Sequence, residues 1–236
     1  MRKIITMIFI AFSCGVIAQP QNFTADSIDS EYGIEYYKRY NSFLGGEEQR
    51  MCNGSPCNEQ IEDQYKNGKL LHKGYYTEGQ LVTFKNYYPD GTVERDFKRV
   101  SPVKCKIAKY YPDGKPKSEV TYFNGNPIEW TDYYPSGQVE FNEEYDRNYQ
   151  YYELQESFYK NGQHQFVLEL EKKRKMLYSK KEYYEDGTLK AEGEMKFNEA
   201  TRVYMKINWW TYYNEQGEAT VKKEYVNNGV VTEKEM

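Results

Sequence analysis

The chain has 236 residues, 32 basic and 36 acidic, for a net charge of -4, and this acidic balance excludes the basic face of an ordinary nucleic-acid binder. Its mean hydropathy is -0.96 although 26 residues are tyrosine, so aliphatic side chains are too few for a thick core. A thin sheet suits this composition, with amphipathic rings covering its faces and keeping their hydroxyls wet.

In chain order, Met1–Ala18 places Arg2 and Lys3 ahead of an apolar run, Ile4–Ile17. That is the layout of a secretory signal, and it is too short for a membrane span. Residues 1–18 are therefore expected to be removed, which leaves 30 basic against 36 acidic residues. The mature protein is expected to be secreted, periplasmic or on the cell surface, without a transmembrane span. The rival reading makes Cys14 a lipid anchor, but Phe12 is a poor neighbour for one and the apolar run continues past Cys14.

Residues 19–60 read as a leader and an N-terminal cap. Gln19–Ser30 is polar. Glu31–Leu44 is rich in aromatics and reads as a short helix or an irregular strand, and Gly45 and Gly46 break it. The cap is expected to cover the first open sheet edge. In an oxidising compartment Cys52, Cys57 and Cys105 supply one disulfide and one spare thiol. Cys52 with Cys57 is the local pairing, and pairing of either with Cys105 stays open. The spacing of Cys52 and Cys57 is not a usual zinc spacing, so no metal is expected.

From residue 61 to 236 one phrase recurs. It reads YYPDG at Tyr87–Gly91 and Tyr110–Gly114, with variants at Gln64–Gly68, Tyr133–Gly137, Phe158–Gly162 and Tyr183–Gly187 and a stretched copy ending at Gly217. A near-fixed period of this length marks a repeat architecture. A second set of turn signals falls halfway between, for example at Thr77–Gly79, Phe123–Gly125 and Asn227–Gly229. The fold class is therefore all-β: tandem hairpins forming an elongated, twisted antiparallel meander of about 15 strands.

Pro-Asp-Gly suits a three-residue hairpin loop with a bulge. Such a loop pairs Tyr87 with Val93, Tyr110 with Pro116, Tyr133 with Val139, Phe158 with His164 and Tyr183 with Leu189. The second aromatic of each phrase then stands among polar neighbours. Tyr88, Tyr111, Tyr134, Tyr159 and Tyr184, together with Trp130, form the candidate exposed aromatic binding row. Phe84, Ile107 and Trp130 share the parity of this wet column, so either a bulge switches faces or both faces are partly covered.

The repeats resemble the MORN-repeat variant family, which includes the YwqK-like antitoxin proteins of bacteria. Trp130-Thr131-Asp132-Tyr133-Tyr134-Pro135-Ser136-Gly137 fits its pattern, and Asn208–Tyr213 fits with one extra residue before Gly217. The resemblance implies an elongated hairpin sheet that serves as a protein-interaction or scaffolding surface. It carries over no catalytic residue and no cofactor.

The chain has no nucleophile elbow, zinc-protease helix, phosphate loop or dinucleotide fingerprint. His72 and His164 read as strand residues, and Lys172–Lys175 reads as a solvated turn. The function expected is a non-catalytic interaction module with a protein partner in the cell envelope. The alternatives are a polysaccharide-binding module that uses the Tyr/Trp row, and an antitoxin or immunity-type protein. Glu233, Lys234 and Glu235 on the last strand discourage edge pairing and favour a monomer.

Overall fold

The computed structural model describes residues 32–236. The segment expected to be a signal peptide, with Cys14, and the polar stretch after it lie outside the described residues. A short helix α1 (Tyr32–Glu35) runs into 3-10 turns at Tyr36–Tyr40 and Ser42–Leu44. A small ribbon follows, β1 (Met51–Cys52) and β2 (Ser55–Pro56).

The rest is one meander. Its strands are β3 (Gln60–Gln64), β4 (Leu70–Thr77), β5 (Gln80–Tyr87), β6 (Val93–Ser101) and β7 (Lys104–Tyr110). Then come β8 (Pro116–Phe123), β9 (Asn126–Tyr133), β10 (Val139–Tyr145), β11 (Tyr152–Phe158) and β12 (His164–Lys172). The last are β13 (Leu177–Tyr183), β14 (Leu189–Asn198), β15 (Val203–Tyr213), β16 (Ala219–Val226) and β17 (Gly229–Glu235). All 15 pair in sequence order in one antiparallel sheet. Both predicted sets of turns are present, on opposite edges.

The main turns have the expected chemistry. In the turn after β7, Gly114 takes φ 83° and donates to the Tyr111 carbonyl at 2.9 Å, while Tyr111 donates to the Lys115 carbonyl at 2.8 Å. Asp113 accepts from the Lys115 N–H at 3.1 Å. The five predicted pairs, from Tyr87–Val93 to Tyr183–Leu189, all occur.

The bulge that follows each pair decides the faces. On β5, Asn86 and Tyr87 are adjacent and so point opposite ways. Their partners are Arg95 and Val93, so Glu94 is the extra residue and these partners also point opposite ways. Val139 and Phe141 are divided in the same way around Glu140. The first aromatics therefore join the polar face. Of the two alternatives, the bulge that switches faces is the one present, and the column with Phe84, Ile107 and Trp130 lies on the face that carries the core. Directly opposed residues run Ile61, Gly74, Phe84, Phe97, Ile107, Val120 and Trp130, then Glu143, Gln155, Leu168, Lys180 and Gly193. On the other face a parallel row from Lys85 through Asp96, Glu119, Thr131 and Glu156 to Lys181 is mostly polar.

The cap lies on the aromatic face and not over the edge, where β3 remains the outermost strand. Ile34, Tyr37 and Tyr40 pack with Leu71, Tyr76, Phe84 and Phe97. The Tyr37 ring stacks on buried His72 with centroids 3.6 Å apart. His72 donates from Nδ1 to Asn86 Oδ1 at 2.7 Å and accepts at Nε2 from the Tyr76 hydroxyl at 3.0 Å. Burial pushes its pKa down to about 4. Two ion pairs bind cap to sheet, Arg50 with Asp63 at 2.6 Å and Arg95 with Glu35 at 2.8 Å. The disulfide joins Cys52 to Cys57, and Cys105 is free and buried in the same cluster.

A second cluster, Leu168, Tyr178, Met195, Phe197 and Trp210, forms further along this face. There the sheet curls. Tyr204 on β15 accepts from the Tyr152 N–H on β11 at 2.9 Å. In a flat sheet four strand spacings would separate them by about 19 Å. Arg202 locks the curl by donating to the Tyr149 carbonyl at 3.1 Å.

Candidate functional site

Five of the six candidate residues share one environment. Tyr88, Tyr111, Tyr134, Tyr159 and Tyr184 sit at the main turns, half-buried and not openly exposed. Their hydroxyls are tied to the protein's own backbone. Each donates to the carbonyl of the first aromatic in the next main turn: Tyr88 to Tyr110, Tyr111 to Tyr133, Tyr134 to Phe158, Tyr159 to Tyr183 and Tyr184 to Tyr213, at 2.7–3.0 Å. Tyr65 begins the series by donating to the Tyr87 carbonyl at 2.5 Å.

The backbone explains why. Between successive hairpins the strand ladder stops one residue short of that aromatic. β6 and β7 begin pairing at Arg95–Lys109, for instance, so Tyr110 lies beyond the ladder. Its carbonyl needs another donor, and the phenol of the preceding turn supplies it. A second rail runs beside the first, from Thr92 to the Pro112 carbonyl and from Lys115 to the Pro135 carbonyl, both at 3.2 Å.

Trp130, the sixth candidate, is elsewhere. It stands on the aromatic face, where its indole N–H donates to Asp132 at 2.7 Å. The cap cluster lies on one side and the curled cluster on the other, and Trp130 belongs to neither. Two opposed rows cross this stretch. One runs Trp130, Glu143, Gln155, Leu168, Lys180, and the other runs Asp132, Phe141, Ser157, Phe166, Glu182. Phe141 and Phe166 are half-buried, like Trp130.

The polar groups between these rings are held in place. Buried Glu143 accepts from the Tyr145 hydroxyl and from Gln155 Nε2, both at 2.8 Å. Burial, followed by its hydrogen bonds to Tyr152 and Glu143, raises the Tyr145 pKa and keeps the phenol a donor. The Lys180 ammonium lies 4.9 Å from the Phe166 ring centre. The arrangement offers flat apolar platforms beside fixed acceptors and one cation. Sequence reading missed Phe141, Glu143, Gln155, Phe166 and Lys180. Discounting one bulge residue after each main turn would have put them in register with Trp130. Among the described residues no group of His, Cys, Asp and Glu is placed to hold a metal.

The family model described as MORN repeat variant matches residues 108–124, 128–147 and 180–196. At these three places the chain carries MORN-variant repeats. Each matched stretch is one main-turn hairpin, and the same turn hydrogen bonds recur at Gly68, Gly91, Gly162 and Gly217. The same turn geometry therefore extends beyond the matched residues. At the last turn Gly217 donates to Asn214, so this copy is Tyr213–Gly217 with no stretching and with Asn214 at the second aromatic position. Trp210 is then the counterpart of Trp130.

No curated protein matches the sequence. Among solved structures, TarM matches at 14% identity and a TM-score of 0.27, over 56% of this chain and 24% of TarM. A mutant of S. aureus TarM in complex with Fondaparinux, alpha-GlcNAc-glycerol and UDP matches at 10% identity and a TM-score of 0.24, over 73% of this chain and 27% of that one. A protein of unknown function from Bacteroides fragilis NCTC 9343 matches at 12% identity and a TM-score of 0.19, over 70% and 98% of the two chains. The chain thus spans about a quarter of TarM, and likenesses this loose say nothing about activity.

Proposed function

We propose that the chain is an exported, non-catalytic interaction module that presents the open stretch of its aromatic face to a protein of the cell envelope. The observation that carries this reading is the trio Trp130, Phe141 and Phe166, half-buried on one face and outside both packed clusters. Aromatic anchors surrounded by polar groups are the usual composition of binding hot spots. Repeat sheets of the MORN-variant kind supply such surfaces without needing catalytic residues. The monomer reading rests on the charged last strand, Glu233 to Glu235.

The test is a pull-down of the mature protein on its own envelopes, before and after protease stripping. Retention is expected to disappear on stripping, and also in Trp130→Ala/Phe166→Ala with an unchanged fold. Retention of that variant at the wild-type level would sink the proposal. One observation favours a second reading: the Trp130 ring lies beside Asp132 and Glu143, the pairing of stacking platform and acceptor that suits a sugar ring. Retention on stripped envelopes would select polysaccharide. An antitoxin role rests on the YwqK-like resemblance alone, and crosslinking of the captured partner decides it. Tyr134→Ala is a poor probe of binding, because Tyr134 is tied into the turn ladder.

A further inference from the structure

Trp210 occupies the same repeat position as Trp130 but has a different setting. Its ring lies flat over Gly193, where any Cβ would collide with it. Its indole N–H donates to the Glu194 carbonyl at 3.0 Å. Tyr212 and Tyr225 stand around it with ring centres 6.4 and 6.2 Å away, and their hydroxyls meet at 2.7 Å. The three rings form an open box, with Trp210 as floor, Tyr225 as a steep wall at 72° and Tyr212 as a shallow flank at 32°.

The box is filled by the chain itself. Lys206 Nζ lies 3.9 Å from the Trp210 ring centre and 5.4 Å from those of Tyr212 and Tyr225. It also donates to the Tyr212 hydroxyl at 3.2 Å. A bulge makes the arrangement possible. Between Glu192–Thr211 and Glu194–Ile207 the strand β15 has two residues more than β14, and Asn208 takes φ 56° there. Bulges re-aim side chains in this way, and here one folds Lys206 back over Trp210 on its own strand.

Aromatic rings arranged around a positive charge attract it through their quadrupoles, and desolvated boxes of this kind hold ammonium groups. Lys206 is half-buried and anchored by a single side-chain hydrogen bond, on a long flexible stem. It can swing outward and leave the rings in place, because Gly193 and the Glu194 carbonyl hold Trp210 independently.

We propose that the Trp210–Tyr212–Tyr225 box is a receptor for an ammonium-class cation, either a quaternary ammonium headgroup or a methylated lysine side chain, with Lys206 as its internal competitor. The site lies apart from the stretch around Trp130 and stands or falls without it. Removing Lys206 should expose a working site, and in the wild type an external cation must displace the lysine.

The experiment follows the Trp210 indole N–H resonance in the full mature chain during titration with tetramethylammonium. In Lys206→Ala a saturable shift is expected at a concentration at least roughly tenfold below that needed by the wild type, in keeping with one lost cation–π competitor. The uncharged carbon isostere of choline, 3,3-dimethyl-1-butanol, should leave the resonance unmoved in the same variant. Adding Tyr225→Leu should abolish the response. Equal response to the charged and neutral probes would overturn the proposal, even if Tyr225→Leu fails to fold. So would a Lys206→Ala variant that responds no better than wild type. Choline and Nα-acetyl-Nε-trimethyl-lysine amide, titrated separately, distinguish the two sources: the tighter binder names headgroup or protein side chain.

Discussion

The Tyr134 hydroxyl donates to the Phe158 carbonyl at 2.8 Å, joining two main turns 24 residues apart. Adjacent main turns are two strands apart, roughly 10 Å. Within this edge only a long side chain with a terminal donor can reach the orphan carbonyl. Phenylalanine has the length but no donor. The second aromatic of the repeat is thus a bolt between hairpins, and its tyrosine identity follows from where the strand ladder stops.

Tyr134→Phe is therefore expected to cost about 1 kcal/mol, the usual net worth of one hydrogen bond whose partner is left half-wet. Tyr88→Phe should add to it independently, since the two sites are far apart and share no partner. Tyr133→Phe, whose hydroxyl is outside the ladder, should cost less than about 0.5 kcal/mol. Urea unfolding of the three variants checks the order, and equal losses at Tyr133 and Tyr134 would refute the bolt.

The turns were legible because their chemistry is local: glycine at the left-handed position, Asp or Asn just before it, and a fixed spacing. Pairs such as Tyr110–Pro116 followed from that alone. The faces were not legible, because one bulge residue per hairpin, Glu94 or Glu140 for example, reverses the parity of everything after it. The bolts were hidden for another reason. A bond between Tyr184 and Tyr213 depends on the end of a ladder formed by neither residue. The stretched look of the last repeat arose because Asn214 stands at the second aromatic position, so that Tyr212 and Tyr213 together imitate the usual pair one residue too early.

Acid should loosen the cap. His72 is buried as a neutral ring with its pKa down to about 4, below its unfolded value. Between roughly pH 6.5 and 4 the unfolded chain binds the extra proton, so stability is full above that window and falls through it, by roughly 3 kcal/mol. The groups facing the ring act as follows. Burial raises the Asp63 carboxyl, but its bonds to Arg50 outweigh that and hold it low, so it adds to the loss only at more acid pH. Arg50 stays charged, and Tyr37 and Tyr76 remain protonated phenols throughout. Urea midpoints from pH 7 to 4 should fall in the wild type and flatten in His72→Gln. A variant with an undiminished slope would exonerate the histidine.

Gly193 is a packing requirement and not a hinge. Its missing side chain makes room for the Trp210 ring. Gly193→Ala forces that ring off the sheet at a cost of about 1–3 kcal/mol, as overpacked sites usually show. The displaced indole should also shift its fluorescence to the red. An alanine variant with native stability and native emission would contradict this contact.

The disulfide and the free thiol should respond differently to reduction and to alkylation. The disulfide between Cys52 and Cys57 closes a loop with a sequence separation of 5. Loop-closure entropy assigns such a short crosslink about 2 kcal/mol, so mild reduction should lower stability without melting the sheet. Cys105 is fully buried, and burial pushes its thiol up to about 11. The thiolate is the reactive form, so a maleimide at neutral pH should leave Cys105 unmodified in the folded chain and label it quickly in urea. Peptide mapping separates the three positions. Rapid native labelling of Cys105 would mean that the cap does not cover the first core cluster.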